Sequence, residues 1–576
     1  MASNPMVRVA RRHALRLAMV AFGVSTHAVA TDWPRFRGYD LSGISPDPIL
    51  QSWPTNGLPI AWQVSSPGGY SASAVAGGKV LTLRNTTSEC CVALDAGSGT
   101  QHWATALGPA VSYSTPTVKD GFVYVYSGTH KLFCLNVTNG GIVWQRDLTN
   151  EFGATTIEYG NSQSPWVEDG RVLVSVQAAT NCLLAFNATN GALLWRGHTN
   201  AVTYGSPVGV TICGVPQVIF PDPHGLVSIA PEDGRLLWRL ARGYSPGRHG
   251  PSPVVSGDNV VCVKSDNSGG EVFQVLQTDG VFSTKTLWTN ATLTGTYVTL
   301  VVHENHLYGA FNNALQCLDL ANGQLKWRTN LPFSPSVILA GKQLLILGQD
   351  GSLALATASP LRYEELARCK LPGLDYENSP AFSDGRIYVR CPSRMLCLDA
   401  SVPAPLEIST APLPGGTQLR LTVRCKNGSP IPTDRASRTY VRWSPTLAPP
   451  PGQWPVWSGP LVYTNGVLCG DASLLRGEPA RYFIAVEATD SAPLEVSTAP
   501  LPSGTQIRLT VRCKDGSPIP IDRAPRIHIA WNPSLELPPG QWPTWPGQLV
   551  YTNGVLHGDL PLLRNQSARY FIAVEE

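Results

Sequence analysis

Ala93-Leu94-Asp95-Ala96-Gly97-Ser98-Gly99-Thr100-Gln101-His102-Trp103 carries the pattern that decides the fold. A short apolar strand, Cys91 to Leu94, runs into Asp95; Gly99 follows four residues on, and Trp103 four after that. A short acidic or amide side chain accepts bonds from backbone N–H groups just ahead of it and starts a tight turn. Glycine supplies the positive φ at which that turn ends. Tryptophan then stands at a fixed place on the next strand, where its ring can be buried between neighbouring units with its N–H left to pair.

The pattern recurs. Asn136, Gly140 and Trp144 keep both spacings, as do Asn187, Gly191 and Trp195, and Asp319, Gly323 and Trp327. Gly234 and Trp238 keep the second half, with Ala230 in the first position. Between one Trp and the next Asp or Asn comes Ser or Pro, an alternating strand, a Gly-containing pair and a second alternating strand. Asp120-Gly121, Asp169-Gly170, Gly257-Asp258 and Asp384-Gly385 mark these hairpins. Each unit therefore holds four strands in roughly 40 residues, the size of a propeller blade. Unit starts fall at Trp62, Trp103, Trp144, Trp195, Trp238, Trp288 and Trp327, with an eighth, degraded, near Leu366-Ala367-Arg368. The expected fold is all-β: an eight-bladed β-propeller over 31–402, seven blades being the nearest alternative. The strand Ile60–Val64 should close the ring beside Met395–Asp399, removing exposed sheet edges.

Composition agrees. The 576 residues include 54 Gly and 49 Pro, which disfavours long helices and suits many turns. A net charge of +3 gives no electrostatic case for a nucleic-acid partner. Arg8, Arg11, Arg12 and Arg16 precede a short apolar run, Leu17 to Val24, and Ala28-Val29-Ala30 has the small-x-small form of a cleavage site. Residues 1–30 thus read as a secretory signal peptide, and the mature chain as an exported monomer in the periplasm or medium, without a membrane span. The 13 cysteines are scattered through strand-like sequence and read mostly as small buried apolar residues.

At this level the repeat resembles the pyrroloquinoline-quinone-type propeller family, most fully in Ala93, Asp95, Gly99 and Trp103. The opening Asp32-Trp33-Pro34-Arg35-Phe36-Arg37-Gly38 resembles the leader of secreted members. The resemblance covers roughly 32–400 and is specific for fold rather than function. The family holds quinone-dependent dehydrogenases and non-enzymatic, BamB-like outer-membrane assembly scaffolds. Blades here are compact, with about 39 to 51 residues between Trp anchors, leaving little room for a substrate cavity. The expectation is therefore a binding or scaffolding propeller for other exported or envelope proteins, with no catalytic residues, cofactor or metal. No cysteine precedes Cys90, so a BamB-like lipid anchor is not expected. The alternative is a dehydrogenase using the quinone with calcium, for which the resemblance implies a disulfide between Cys90 and Cys91. His224, His249, His303 and His306 read as separate surface or loop residues; the loop Arg242 to Gly250, with two arginines, an aromatic and a histidine among glycines, has the composition of a functional loop, but a solvated connection is the expected reading.

Residues 405–487 recur at 493–575: Leu406-Glu407 answers to Leu494-Glu495, Trp443 to Trp531, and Gly452-Gln453-Trp454-Pro455 to Gly540-Gln541-Trp542-Pro543. Alternating strands with Pro-rich loops suggest two small β-sandwiches of fibronectin or immunoglobulin type, 403–488 and 489–576. Cys425 and Cys469 could pair in the first copy, but His557 replaces Cys469 in the second, so the module does not require a disulfide.

Overall fold

The computed structural model describes residues 32–402 apart from short stretches, the longest at 242–250, 264–268 and 294–299, and in 403–575 chiefly the strands. The chain divides into two compact units, Met1–Val402 and Pro403–Glu576. The proposed signal peptide, the loop 242–250, His224 and His249 lie outside the described residues.

Among the described residues, the first unit holds eight antiparallel sheets, seven of four strands and one with a fifth added. One shows the plan: Ala74–Ala76, Lys79–Asn85, Glu89–Asp95 and Gln101–Gly108 pair in chain order. The middle strands are buried on both faces, which their near-continuous apolar sequence permits; Val80, Leu81, Leu83, Cys91 and Ala93 are wholly inaccessible. The Trp falls on the fourth strand, so the sequence repeat is offset from the sheet by one strand: the Asp-to-Trp segment joins the third strand to the fourth.

One sheet is built from both ends of the unit. Ile60–Ser65 pairs with Arg394–Asp399, with Ile60 opposite Leu398 and Trp62 opposite Cys397. Contacts also run from each sheet to the next and from the last back to the first. Trp62 Nε1, Arg386 Nη1 and the Tyr388 hydroxyl all donate to Ala96 O across that final junction.

The fourth strand carries a feature that alternation does not reveal. In all eight sheets the register slips just before the Trp position, as between Ile142 and Trp144 opposite Leu135 and Cys134. Ala367, in the degraded repeat, has the same slip, so the bulge does not depend on the indole. A bulge places two consecutive residues outward. Ile142 and Val143 are accordingly 48% and 46% exposed although both are apolar.

In the second unit, Leu406–Pro412, Gln418–Cys425, Val467–Ser473 and Val462–Thr464 form a four-stranded sheet, and Thr439–Ser444 pairs with Tyr482–Glu487. The duplicate repeats the topology and register, with Leu494 opposite Cys513 where Leu406 faces Cys425. In the first copy Leu421, Val423, Ile431, Ala436 and Val441 share one apolar core, and a short helix, Thr433–Arg438, precedes the edge pair. Cys425 and Cys469 are both free.

Candidate functional site

The repeat motif forms a clasp between sheets. Asp95 Oδ1 accepts the N–H groups of Gly97 and Ser98 at 3.0 and 2.8 Å, and Gly99 N closes the turn onto Asp95 O at 2.9 Å. The Ser98 bonds lead in holding the Asp95 carboxyl below its ordinary value. Asn136 and Asn187 do the same through Oδ1, and Gly140 and Gly191 close those turns at 2.8 and 2.9 Å. Asp319 accepts from Ala321, and Gly323 closes its turn; Gly234 closes onto Ala230 O without any side-chain acceptor.

Each of these glycines meets the Trp of the preceding sheet. A Cβ on Gly99 would lie 2.7 Å from Trp62, on Gly140 2.5 Å from Trp103, and on Gly191 2.7 Å from Trp144. Trp195 lies over Gly234 and Trp288 over Gly323 in the same way. The glycine thus has two requirements, positive φ and room for an indole. The indole N–H then donates to the residue just past the turn's first position: Trp103 to Val137 O at 3.0 Å, Trp144 to Ala188 O at 2.9 Å, Trp195 to Pro231 O at 3.0 Å and Trp288 to Leu320 O at 2.8 Å. Trp327 donates to Ser359 O at 2.7 Å. Trp238 departs from the rule. The following sheet joins its last two strands through Asp279-Gly280, without the five-residue turn, and Trp238 bonds Gln217 Oε1 of its own sheet at 2.6 Å.

Several cysteines support these clasps. Tyr124 stands opposite Cys134, Tyr308 opposite Cys317 and Tyr388 opposite Cys397. The Tyr124 hydroxyl reaches the same carbonyl, Ala188 O, that Trp144 uses. Burial pushes the Cys134 thiol up to about 12 and those of Cys317 and Cys397 to about 11.

The first strands of neighbouring sheets stand side by side, and their N-terminal ends are linked by hydroxyls. Thr115 N donates to Ser164 Oγ at 3.1 Å, Ser164 N to Ser206 Oγ at 3.0 Å, and Ser206 N to Ser252 Oγ at 2.9 Å. The Ser336 and Ser379 hydroxyls meet at 3.0 Å. These are the Ser and Thr residues that open the hairpins in the sequence; nothing local in them announces a belt joining successive sheets.

At the other end of those strands the N-terminal segment 32–50 crosses from sheet to sheet. Trp33 pairs with Val75, and Pro34 O accepts Val118 N at 2.8 Å. Arg35 Nη2 meets Glu168 Oε1 at 2.7 Å, and Lys119 Nζ meets Glu168 Oε2 at the same distance. Arg37 Nη2 donates to Leu300 O at 2.5 Å, Ile44–Ser45 adds a parallel strand beside Leu339–Ala340, and Asp47 Oδ2 accepts Asp384 N at 2.9 Å. These partners lie on or beside the first strands of six of the eight sheets, so the segment ties those strands to one another. Burial would raise the Glu168 carboxyl, but the bonds from Lys119 and Arg35 outweigh it and hold it below the usual range.

The quinone-with-calcium constellation does not fit the side chains present. Cys90 and Cys91 are both free. Cys91 is packed among Leu81, Leu83, Ala93 and Phe133, and burial raises its thiol far above the ordinary value. Cys90 is half-buried, with Sγ 3.6 Å from Ser88 O. Adjacent residues of a strand face opposite sides of the sheet. Among the described residues, no three His, Cys, Asp or Glu side chains gather as metal ligands would. His303 and His306 bond within their own turn, to Glu304.

Comparison with known proteins places this repeat. Residues 86–329 match the family model described as outer membrane protein assembly factor BamB. The chain is 23% identical to BamB of Yersinia pestis over 304 residues, 47% of this chain and 73% of that protein. It is 26% identical to tetrathionate hydrolase of Acidithiobacillus ferrooxidans over 180 residues, 26% of this chain and 35% of that enzyme. Among solved structures, BamB from Moraxella catarrhalis superposes with a TM-score of 0.46 at 12% identity, covering 59% of this chain and 97% of that one. Quinohemoprotein alcohol dehydrogenase from Comamonas testosteroni gives 0.49 at 14% identity, covering 67% and 82%. No helix among the described residues is long and apolar enough to cross a membrane. The turn-and-tryptophan clasp repeated across its sheets and the family match over 86–329 make this region of the chain similar to PQQ-like repeat proteins of the BamB type.

Proposed function

We propose that this chain is an exported binding or scaffolding propeller of the cell envelope, not a quinone-dependent dehydrogenase. In this reading the eight sheets are eight blades of one closed ring, residues 1–30 direct export, and 403–488 and 489–576 are two β-sandwich modules trailing the ring. The observation that carries it is the segment 32–50. Its backbone pairs with the first strands, Trp33, Arg35, Arg37 and Asp47 are buried against them, and in a closed ring the segment would cover one end of its centre. At the other end the hydroxyls are spent on one another. The exposed apolar pairs beside some of the bulges, Ile142 with Val143 and Leu193 with Leu194, supply apolar contact surface on the outer strands.

The test has two arms. Purified mature protein is mixed with pyrroloquinoline quinone and calcium, and its absorbance and dye-linked alcohol oxidation are followed. Neither stoichiometric uptake nor turnover is expected, and stoichiometric uptake with turnover overturns the reading. In cells, a photo-crosslinking residue at Val143 or Leu194 should give a discrete adduct with an envelope protein. Absence of adducts from every outer-strand position would count against a scaffold.

A further inference from the structure

In seven of the eight sheets the outer strand follows its neighbour directly in the chain. In the last sheet the outer strand, Ile60–Ser65, comes from the other end of the unit and pairs with Arg394–Asp399. No turn ties those two strands together, so only non-covalent bonds hold them. From Ser65 the chain runs on through 66–73 to Ala74–Ala76, the first strand of the first sheet.

That connection is knitted to the last sheet. Ser66 N donates to Ser393 O at 3.1 Å and Gly68 N to Pro392 O at 2.9 Å. Arg390, on the strand Arg386–Cys391, reaches the same stretch with all three guanidinium nitrogens. Nε donates to Ser66 Oγ at 3.0 Å, Nη1 to Ser71 O at 3.1 Å and Nη2 to Gly68 O. The side chain is 2% exposed, and each of these acceptors is a neutral oxygen. Burial accordingly pulls Arg390 down to about 10. A buried charge is costly unless its donors are met, and these bonds exist only while 66–71 is seated on the last sheet.

We propose that Arg390 is a latch: residues 60–73 lift from the last sheet as one unit, opening the ring at that junction, and the guanidinium sets how often they do so. The other sheets stay folded during this opening, since each receives its outer strand through a covalent turn. The latch rests on the closed-ring reading.

The chain carries matched reporters. Cys397 stands opposite Trp62 of the lifting strand, as Cys134 stands opposite Trp144 and Cys317 opposite Trp327. All three cysteines are wholly inaccessible, and of these only Cys397 is covered by a strand from the far end of the unit.

The experiment uses the full mature chain in native buffer, labelled with maleimide over time, each cysteine being quantified by peptide mass mapping. In the wild type all three should label slowly. Arg390→Gln should speed Cys397 roughly tenfold or more and leave Cys134 and Cys317 unchanged, because hydrogen bonds to a charged group are lost from the closed junction alone. Ser66→Ala removes only the Nε acceptor and should speed Cys397 by a smaller factor; it decides the matter if Arg390→Gln does not fold. Equal acceleration of all three cysteines, or none at Cys397, overturns the latch. Wild-type Cys397 labelling as fast as in the denatured chain overturns the closed ring, and the latch with it.

Discussion

Gly140 and Gly170 share a backbone conformation, at φ +73° and +71°, but differ in what lies beside them. Nothing lies within 4 Å of the Cβ position of Gly170, whereas at Gly140 that position is 2.5 Å from Trp103 and 2.7 Å from Thr105 Oγ1. Substituting alanine at Gly170 therefore costs only the left-handed conformation, about 1–2 kcal/mol. At Gly140 the same term is joined by overpacking against a ring held by its N–H on Val137 O, a further ~1–3 kcal/mol. Urea unfolding followed by far-ultraviolet circular dichroism should place the Gly140→Ala midpoint at a drop about twice that of Gly170→Ala, with the slope unchanged. Adding Trp103→Leu to Gly140→Ala should recover part of the loss, with a coupling of about 1 kcal/mol. Equal midpoints for the two alanine variants, or strict additivity with Trp103→Leu, would refute the claim that the indole is why glycine is needed.

Trp103→Phe keeps the ring over Gly140 but orphans Val137 O, and should cost about 1 kcal/mol in the same unfolding assay. Glu168 sits below its ordinary value of 4.5, so it stabilises the folded chain above that value, and the contribution fades as pH falls through the lower folded value. Glu168→Gln should therefore flatten the acid limb of the stability profile below about pH 5, as seen in unfolding midpoints measured as the pH is lowered. Cys134, Cys317 and Cys397, with thiols pushed up to between about 11 and about 12, should resist maleimide in native buffer and react on denaturation, read by peptide mass mapping.

The turn chemistry was legible because it is local. Asp95, Asn136 and Asn187 accept from N–H groups two and three residues ahead, and the alternating strands around Asp120-Gly121 and Asp384-Gly385 need only their own period. The partner strand for Ile60–Ser65 was readable because a closed ring brings the first strand of the repeat array beside the last. The cysteines were read as small apolar residues, and the structure adds the tyrosines opposite three of them.

What the sequence determined by itself was the unit: apolar strand, turn and tryptophan, since these interactions close within about ten residues. Only the tertiary structure decided which glycine each tryptophan covers. Trp62 bonds a carbonyl 34 residues away, and no period of a single strand encodes a contact across two sheets. The bulge before each tryptophan was hidden because it breaks the alternation from which strands are read. Arg37 was hidden most deeply. Its sequence neighbourhood, polar and glycine-rich, looks like exposed chain, and its burial draws on residues such as Leu300, which lies hundreds of residues further on.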